Sequence, residues 1–245
     1  MEESLRVLGI SASPRHGNSE FLLDHALDEI RKLDLGTKIE VIEYSFVGKK
    51  FSPCVGCFVC GKNGGRCVIE DSFQELQPEW LAADAIVYSV PIYVMNIPGQ
   101  LKCFFDRLCN SQYGDKENSL KRLNVAAMIS QGGSHSAGQE SALKELIAYT
   151  VLTGGLPVAA GGRNSYTGVR GWTSHNLAVD ALSSRFQEAD DEIVELVDQV
   201  RDLASQAAIA ALIIKKGALA MQDKLRTRAE YRSLIRRIEA RSTPR

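Results

Sequence analysis

Residues 8–27 read LGISASPRHGNSEFLLDHAL and pass from an apolar strand through a polar loop into an amphipathic helix. Free N–H groups at a helix start, hydroxyls and a guanidinium bind anions well, so this loop predicts a phosphate site at the carboxyl end of the first strand. An ordinary capped turn between strand and helix is the alternative. The polar side chains concerned are those of Ser11, Ser13, Arg15, Asn18 and Ser19.

Apolar runs alternate with segments of helical period along the chain, a pattern typical of a parallel sheet covered on both faces. We therefore predict an α/β, flavodoxin-like, doubly wound five-stranded parallel sheet in the order 2-1-3-4-5. The predicted strands are Leu5–Ile10, Lys38–Ile42, Ala85–Val90, Asn124–Ser130 and Leu156–Ala160. The predicted helices are Ser19–Leu33, Phe73–Ala82, Gly99–Cys109 and Gly138–Thr153, with a last one from about Thr173 to beyond Val200.

Two further loops follow the third and fourth predicted strands and should meet the first loop where the strand order reverses. One offers an aromatic ring and an amide beside a proline, which suits a flat heteroaromatic ring, and the other has glycines that let the backbone approach a ligand. A phosphate in the first loop and a ring between the other two predict flavin mononucleotide (FMN). The residues are Pro91, Ile92, Tyr93 and Asn96 in one loop and Ser130, Gln131, Gly132 and Gly133 in the other.

Four of the six cysteines lie in residues 54–67, CVGCFVCGKNGGRC, at the spacing C-x2-C-x2-C-x6-C. Closely spaced thiolates of this kind can hold an iron–sulfur cluster. A structural zinc site and a set of redox thiols without metal are the alternatives, although zinc sites usually separate two C-x2-C pairs by a longer loop. In the helix that follows the Pro91–Asn96 loop, Cys103 is predicted to pack in the core, and Asp106 and Arg107 to form ion pairs at a subunit or sheet edge.

The formal net charge of −1 gives no reason to expect a nucleic-acid partner for the chain as a whole. No basic and apolar leader precedes the first strand, and no uninterrupted apolar run is long enough to cross a bilayer, so we expect a cytoplasmic protein that is not bound to a membrane. Clustered cysteines, in a chain that can fold without them, favour metal or redox chemistry over structural disulfides.

The C-terminal segment differs in charge from the rest of the chain. Residues 205–245 contain ten Lys and Arg against three acids. We therefore divide the chain into a flavodoxin-like FMN-binding domain at 1–204 and a basic helical extension at 205–245. The extension is expected to pack on the domain itself or on a neighbouring subunit, with a patch for an acidic partner as the alternative.

Four stretches resemble the flavodoxin-like NAD(P)H-dependent FMN reductases and, within them, the iron–sulfur flavoproteins. They read GISASPRHGNS, PCVGCFVCGKNGGRCVIEDSF, ADAIVYSVPIYVMNIPGQLKCFFDR and GGSHSAGQE, and the match covers about residues 5–170. The resemblance implies FMN in the three loops and a [4Fe–4S] cluster on Cys54, Cys57, Cys60 and Cys67. It also implies a homo-oligomer, either a dimer or a tetramer. The long basic extension, and Asp71 and Ser72 in place of paired acids after the last cysteine, depart from the family pattern.

Three functions follow from these expectations. The first is an electron-transfer flavoenzyme that couples a one-electron donor such as a ferredoxin, through the cluster and FMN, to a small-molecule or protein acceptor. In the second, NAD(P)H reduces FMN directly and the protein reduces a quinone or a free flavin without a cluster. The third is a redox sensor without catalysis; no nucleic-acid-binding motif supports it.

Overall fold

The computed structural model describes residues 4–114, 121–159 and 166–239, and its centre is one parallel sheet. The strands are β1 (Ser4–Ser11), β2 (Lys38–Ser45), β3 (Ala85–Pro91), β4 (Val125–Gly132), β5 (Leu156–Pro157) and β6 (Val169–Trp172). Their order is β2-β1-β3-β4-β5, and β6 pairs with β4. The doubly wound order predicted from the sequence is confirmed.

Two short segments share the place of the fifth strand. β5 pairs with the first two residues of β4, and β6 pairs with the last four. The predicted strand Leu156–Ala160 is therefore too long, since β5 ends at Pro157 and Ala160 lies outside the described residues. The N–H of Val158 still bonds to the carbonyl of Ala126, and Val169 begins the second segment that pairs with β4.

Helices cover both faces of the sheet. They are α1 (Asn18–Lys32), α2 (Phe73–Ala82), α3 (Gly99–Gly114), α4 (Gln139–Leu152), α5 (Ala181–Gln187), α6 (Asp191–Ala220), α7 (Gln222–Arg226) and α8 (Arg232–Glu239). α1 and α6 pack with one face, and α2, α3 and α4 with the other. Every residue of β3 and β4 is buried, as expected for the central strands of a parallel sheet with two covered faces.

The predicted last helix is wrong at its start. Residues 169–172 form β6, residues 173–180 form an irregular loop, and helical structure begins only at Ala181. The N–H of Thr173 bonds to the carbonyl of Gly132 at 3.0 Å, so tertiary pairing beside β4 prevails over the local helical preference. α6 then runs without interruption through residue 204, where the sequence analysis placed a boundary.

α6 is long and apolar enough to cross a membrane by length and composition alone. Most of its buried residues, however, belong to the same hydrophobic cluster as those of α1, β1, β3 and β4. This packing is that of a core helix.

The basic extension packs on the domain itself through buried charges. Lys215 Nζ lies 3.0 Å from Asp84 Oδ2, and Arg237 Nε lies 3.4 Å from Asp84 Oδ1, with all three side chains at most 3% exposed. Lys215 also donates to the carbonyl of Ser4 at 2.6 Å, and Arg237 to that of Ala83 at 3.1 Å. These contacts lie at the amino ends of β1 and β3, opposite the predicted flavin loops.

Candidate active site

The loop after β1 leads into α1 without a side-chain cap from any described residue. The N-cap residue of α1 is Gly17, with φ at 136°. The first backbone hydrogen bond of the helix runs from the N–H of Phe21 to the carbonyl of Gly17. A Cβ on Gly17 would lie 2.1 Å from the carbonyl oxygen of Val179, so only glycine fits there. The amides of the first turn are therefore left for an anion.

The side chains of this loop have different environments. Ser13 Oγ bonds to Arg15, accepting from its N–H at 3.2 Å and donating to its carbonyl at 2.7 Å, which shapes the turn. The Arg15 side chain is exposed, and Ser11 Oγ is buried with no partner among the described residues. Asn18, predicted as a phosphate ligand, uses its amide to hold Ala178 and Leu182 at 3.2 and 2.8 Å.

The three predicted loops meet at the carboxyl edge of the sheet. Gln131 Nε2 donates to Ser19 Oγ at 3.2 Å, and the carbonyl of Gln131 accepts from the N–H of Ile92 at 2.8 Å. Gly138 packs so closely against the backbone of Met95 that a Cβ would lie 2.4 Å from its Cα. The loops after β1, β3 and β4 thus form one surface.

A tight turn lies at the tip of the loop after β3. Tyr93 and Asn96 exchange backbone hydrogen bonds of 2.8 and 3.1 Å, and the residues between them, Val94 and Met95, have φ of 46° and 68°. Positive φ at both central positions is the geometry of a type I′ turn, which usually contains Asn and Gly. Tyr93 and Met95 are about half exposed and Val94 almost fully exposed, which leaves this tip apolar and open.

A fourth segment, the loop after β6, joins the site, and sequence reasoning missed it apart from the aromatic Trp172 at its start. His175 N–H bonds to the carbonyl of Gly133 at 2.6 Å, and the Trp172 indole packs against the His135 ring at a tilt of 39°, with ring centroids 3.9 Å apart. Gln139 fixes the loop between β4 and α4 by donating to Ser134 at 2.6 Å and to Gly171 at 3.2 Å. The loop after β6 and the start of α5 also contact Asn18, through Ala178 and Leu182.

The four clustered cysteines lie in the long connection between β2 and α2. They line one cavity together with Arg107 and Asn110 of α3. Asn110 Nδ2 lies 3.7 Å from Cys54 Sγ, and the backbone carbonyl oxygen of Asn110 lies 3.5 Å from Cys60 Sγ. Burial raises the pKa of the Cys60 thiol. All six cysteines are free thiols, and of these four Cys67 packs against the hydrophobic cluster that contains α2 and α3.

Arg107 closes the base of this cysteine loop, contrary to the expected place at a subunit or sheet edge. Its side chain is fully buried, and Nη1 lies 2.7 Å from both carboxylate oxygens of Asp71. It also donates to the carbonyls of Ser52 at 3.4 Å and Ile69 at 2.5 Å, on either side of the cysteines. Its Nε is buried and has no hydrogen-bond partner among the described residues.

Asp71 completes this closure from the far side. Burial opposes its ionisation, but hydrogen bonds from the Ser52 N–H, from Arg107 and from the Phe73 N–H outweigh that cost and hold the pKa of Asp71 below its usual value. The carboxylate is therefore ionised at neutral pH and pairs with Arg107. The two ends of the loop are fixed even without a metal.

Comparison with known proteins gives this arrangement a family. The family model described as NADPH-dependent FMN reductase matches residues 5–162. The chain belongs to this FMN reductase family. It is 30% identical over 202 residues to an iron–sulfur flavoprotein of Methanosarcina thermophila, across 81% of this chain and all of the relative. It is 32% identical over 171 residues to one from Archaeoglobus fulgidus, across 70% and 84% of the two chains.

Solved structures support the fold of this FMN reductase. An azoreductase from Bacillus anthracis superposes with a TM-score of 0.56 at 16% identity, across 82% of this chain and 99% of the other. The protein is thus a flavin-dependent oxidoreductase of flavodoxin-like fold, with FMN as the cofactor of its family.

A zinc ion and an iron–sulfur cluster make different demands on the four cysteines of the FMN reductase. In the described part of the chain no three His, Cys, Asp or Glu side chains come close enough together to hold one metal ion. A zinc ion needs its sulfurs at about 2.3 Å from a single point. A cluster instead distributes its four thiolate ligands over several irons, and four thiols around one shared cavity suit such a ligand set.

Proposed function

We propose that this FMN reductase is an oxidoreductase of iron–sulfur flavoprotein type, which passes electrons between a [4Fe–4S] cluster and FMN and on to a small-molecule or protein acceptor. The observation that carries the proposal is the cavity shared by Cys54, Cys57, Cys60 and Cys67, closed at its base by the Arg107–Asp71 pair. Two relatives named iron–sulfur flavoprotein, which this chain matches over most of their length, support it.

The flavin site would use the surface where the four loops meet. The uncapped amides at the start of α1 suit the phosphate, and Ser11, Ser13, Arg15 and Ser19 lie around that end. The exposed Tyr93 and the backbone of Gly132 and Gly133 would border the ring. Asn18 acts indirectly in this proposal, by fixing the loop after β6 against the phosphate loop.

Each cofactor supplies a distinct chemistry when bound: the cluster exchanges single electrons and FMN exchanges one or two. The chain's own residues hold them in place. The cysteines would bind iron as thiolates, so loading must release the proton of Cys60, whose pKa burial raises. A ferredoxin-type donor, a homo-oligomer and a cytoplasmic location, all expected from the sequence or its resemblance, are part of this proposal.

The experiment is a comparison of three proteins purified without oxygen: wild type, Cys57→Ala and Cys109→Ala. Cys57 is an exposed member of the cysteine loop, and Cys109 is a thiol of α3 outside it, with a pKa raised to about 11 by burial. We expect iron and acid-labile sulfide, and broad absorption under the flavin bands, in wild type and Cys109→Ala only. A wild type with flavin but without iron would refute the cluster and leave a plain FMN reductase.

A second candidate function is direct reduction of the flavin by NADPH, which the description of the matching family favours. In that case the cysteine loop is peripheral to turnover. Anaerobic addition of NADPH should then bleach the flavin equally fast in wild type and Cys57→Ala. Failure to bleach with NADPH or NADH, together with reduction by a ferredoxin, would exclude this route.

A further inference from the structure

α3 presents one polar side chain to the sulfur atoms of the cysteine loop. Asn110 Nδ2 lies 3.7 Å from Cys54 Sγ, within reach of an N–H···S hydrogen bond. The same nitrogen donates to the carbonyl of Asp106 at 2.8 Å, one turn earlier in the helix. A side-chain amide has two N–H groups, so both bonds can form together.

The helix holds this donor rigidly. Leu101, Phe104, Phe105 and Leu108 of α3 are all buried against the sheet and its neighbouring helices. The bond to Asp106 fixes the orientation of the amide, because the carbonyl of Asp106 can accept only from its NH₂ end. The nitrogen that faces Cys54 is therefore held in place by the backbone of α3.

Metal loading would affect the two sulfur contacts of Asn110 in opposite ways. The thiol of Cys60 donates to the backbone carbonyl of Asn110, so this contact is lost when Cys60 becomes a thiolate. The contact from Nδ2 to Cys54 is donated by the amide, so it persists, and it strengthens because a thiolate is a better acceptor than a thiol. Asn110 is thus suited to the metal-bound state through its side chain.

We propose that Asn110 donates an N–H···S hydrogen bond to the Cys54 ligand and thereby raises the reduction potential of the cluster. The inference rests on the proposed function, because it requires the cluster. Reduction adds negative charge that spreads onto the sulfurs, so an N–H donor stabilises the reduced state more than the oxidised one, and hydrogen bonds to sulfur are among the factors that set such potentials. Asn110 is in this sense a positioning and tuning residue rather than a ligand.

The test measures the midpoint potential of the cluster in the purified holoprotein by redox titration followed by electron paramagnetic resonance. Asn110→Leu keeps the volume without the donor, and Asn110→Ala opens the space to water. Both should lower the equilibrium constant for reduction about tenfold, equivalent to about 59 mV for a one-electron couple. A midpoint potential does not depend on the loaded fraction, so partial loss of iron leaves the test intact.

Gln77→Leu is the matched control. Gln77 Nε2 donates to the loop carbonyl of Gly65 at 3.5 Å and to Ser111 Oγ at 2.6 Å, but to no sulfur among the described residues, so its loss should leave the potential unchanged. Unchanged potentials in both Asn110 variants, or shifts of opposite sign that follow water access, would overturn the inference. A wild type without iron would overturn the proposed cluster itself, a result that iron and sulfide counts distinguish from the former.

Discussion

Arg107 Nη1 lies 2.7 Å from both carboxylate oxygens of Asp71, with the two side chains 0% and 4% exposed. This buried pair joins the start and the end of the cysteine loop, since Asp71 accepts from Ser52 N–H and Arg107 donates to Ile69. Removal of one partner leaves a buried charge, which typically costs about 3–5 kcal/mol. We therefore expect Arg107→Met to lose iron and to unfold at a lower denaturant concentration.

Two companion variants separate the loop anchor from global stability. Lys102→Met removes another ion pair of the same helix, Lys102 with Asp106, whose side chains are 44% and 40% exposed, and should keep its iron. The double variant Asp71→Leu/Arg107→Met removes both buried charges and should regain much of the unfolding free energy without regaining iron. Full iron content in Arg107→Met would contradict a role of the pair in shaping the loop.

Asp24 on α1 provides a prediction about pH. Burial raises its pKa to about 6, with further increases from Glu43, Glu20 and Asp28. A carboxyl whose folded pKa exceeds its unfolded pKa loses its contribution to stability as the pH rises through the folded value. Asp24→Asn should thus raise the free energy of unfolding above pH 6, by up to about 1 kcal/mol once solvent screening at this half-exposed site is considered.

Unfolding at low pH provides the control for Asp24→Asn. Below about pH 3 the Asp24 carboxyl is mostly protonated in both the folded and the unfolded chain, so wild type and Asp24→Asn should have nearly equal stability there. Urea unfolding at about pH 3 and pH 8 measures both conditions. A gain of the same size at the two pH values would show that charge at Asp24 is not its cause.

Asp84 joins the basic extension to the domain and should be important for stability. Lys215 and Arg237 both contact it in a fully buried position, and the Arg6 N–H donates to it at 3.0 Å. Asp84→Asn should cost about 3–5 kcal/mol of unfolding free energy, measured by chemical denaturation. Asp223→Asn removes an exposed acid 3.6 Å from Arg226 in the same extension and should cost at most about 0.5 kcal/mol. Equal effects of the two substitutions would contradict a buried ionic anchor.

The parts of the fold that follow from local pattern could be predicted from the sequence. β3 and β4 are continuous apolar runs, and the order of the strands follows from the alternation of strands and helices. The three flavin loops were placed at one edge because strands in a parallel sheet all end there. Whether each predicted flavin ligand binds FMN stays a prediction.

The contacts that depend on distant residues could not be predicted. The amide of Asn18 holds Ala178 and Leu182, about 160 residues away, and nothing near Asn18 in the sequence indicates those partners. The loop after β6 joins the site through bonds to Gly132 and Gly133, which exist only once β6 pairs with β4. In the sequence, Arg107 stands next to Asp106 and resembles a surface residue. It is buried against Asp71 because it lies on the inner face of α3. Tertiary packing decides each of these positions.

The turn at Val94 and Met95 gives the last prediction. Residues other than glycine with positive φ cost about 1–3 kcal/mol each, and a β-branched residue such as Val94 is especially unfavourable there. Val94 is 98% exposed, so it gains almost nothing from burial, and Met95 meets Gly138 through its backbone. Val94→Asn/Met95→Gly, the pair that type I′ turns prefer, should therefore raise the unfolding free energy by about 1–2 kcal/mol.

The same double variant shows whether the apolar tip serves the flavin site. Val94→Ala keeps a side chain that must adopt positive φ, so it should give little of the stability gain and acts as the control. If the tip contacts the acceptor or a second subunit, Val94→Asn/Met95→Gly will be more stable yet slower in reducing an acceptor, at equal flavin content. A loss of stability in this variant would contradict the turn geometry itself, because Asn and Gly accept positive φ more readily than Val and Met do.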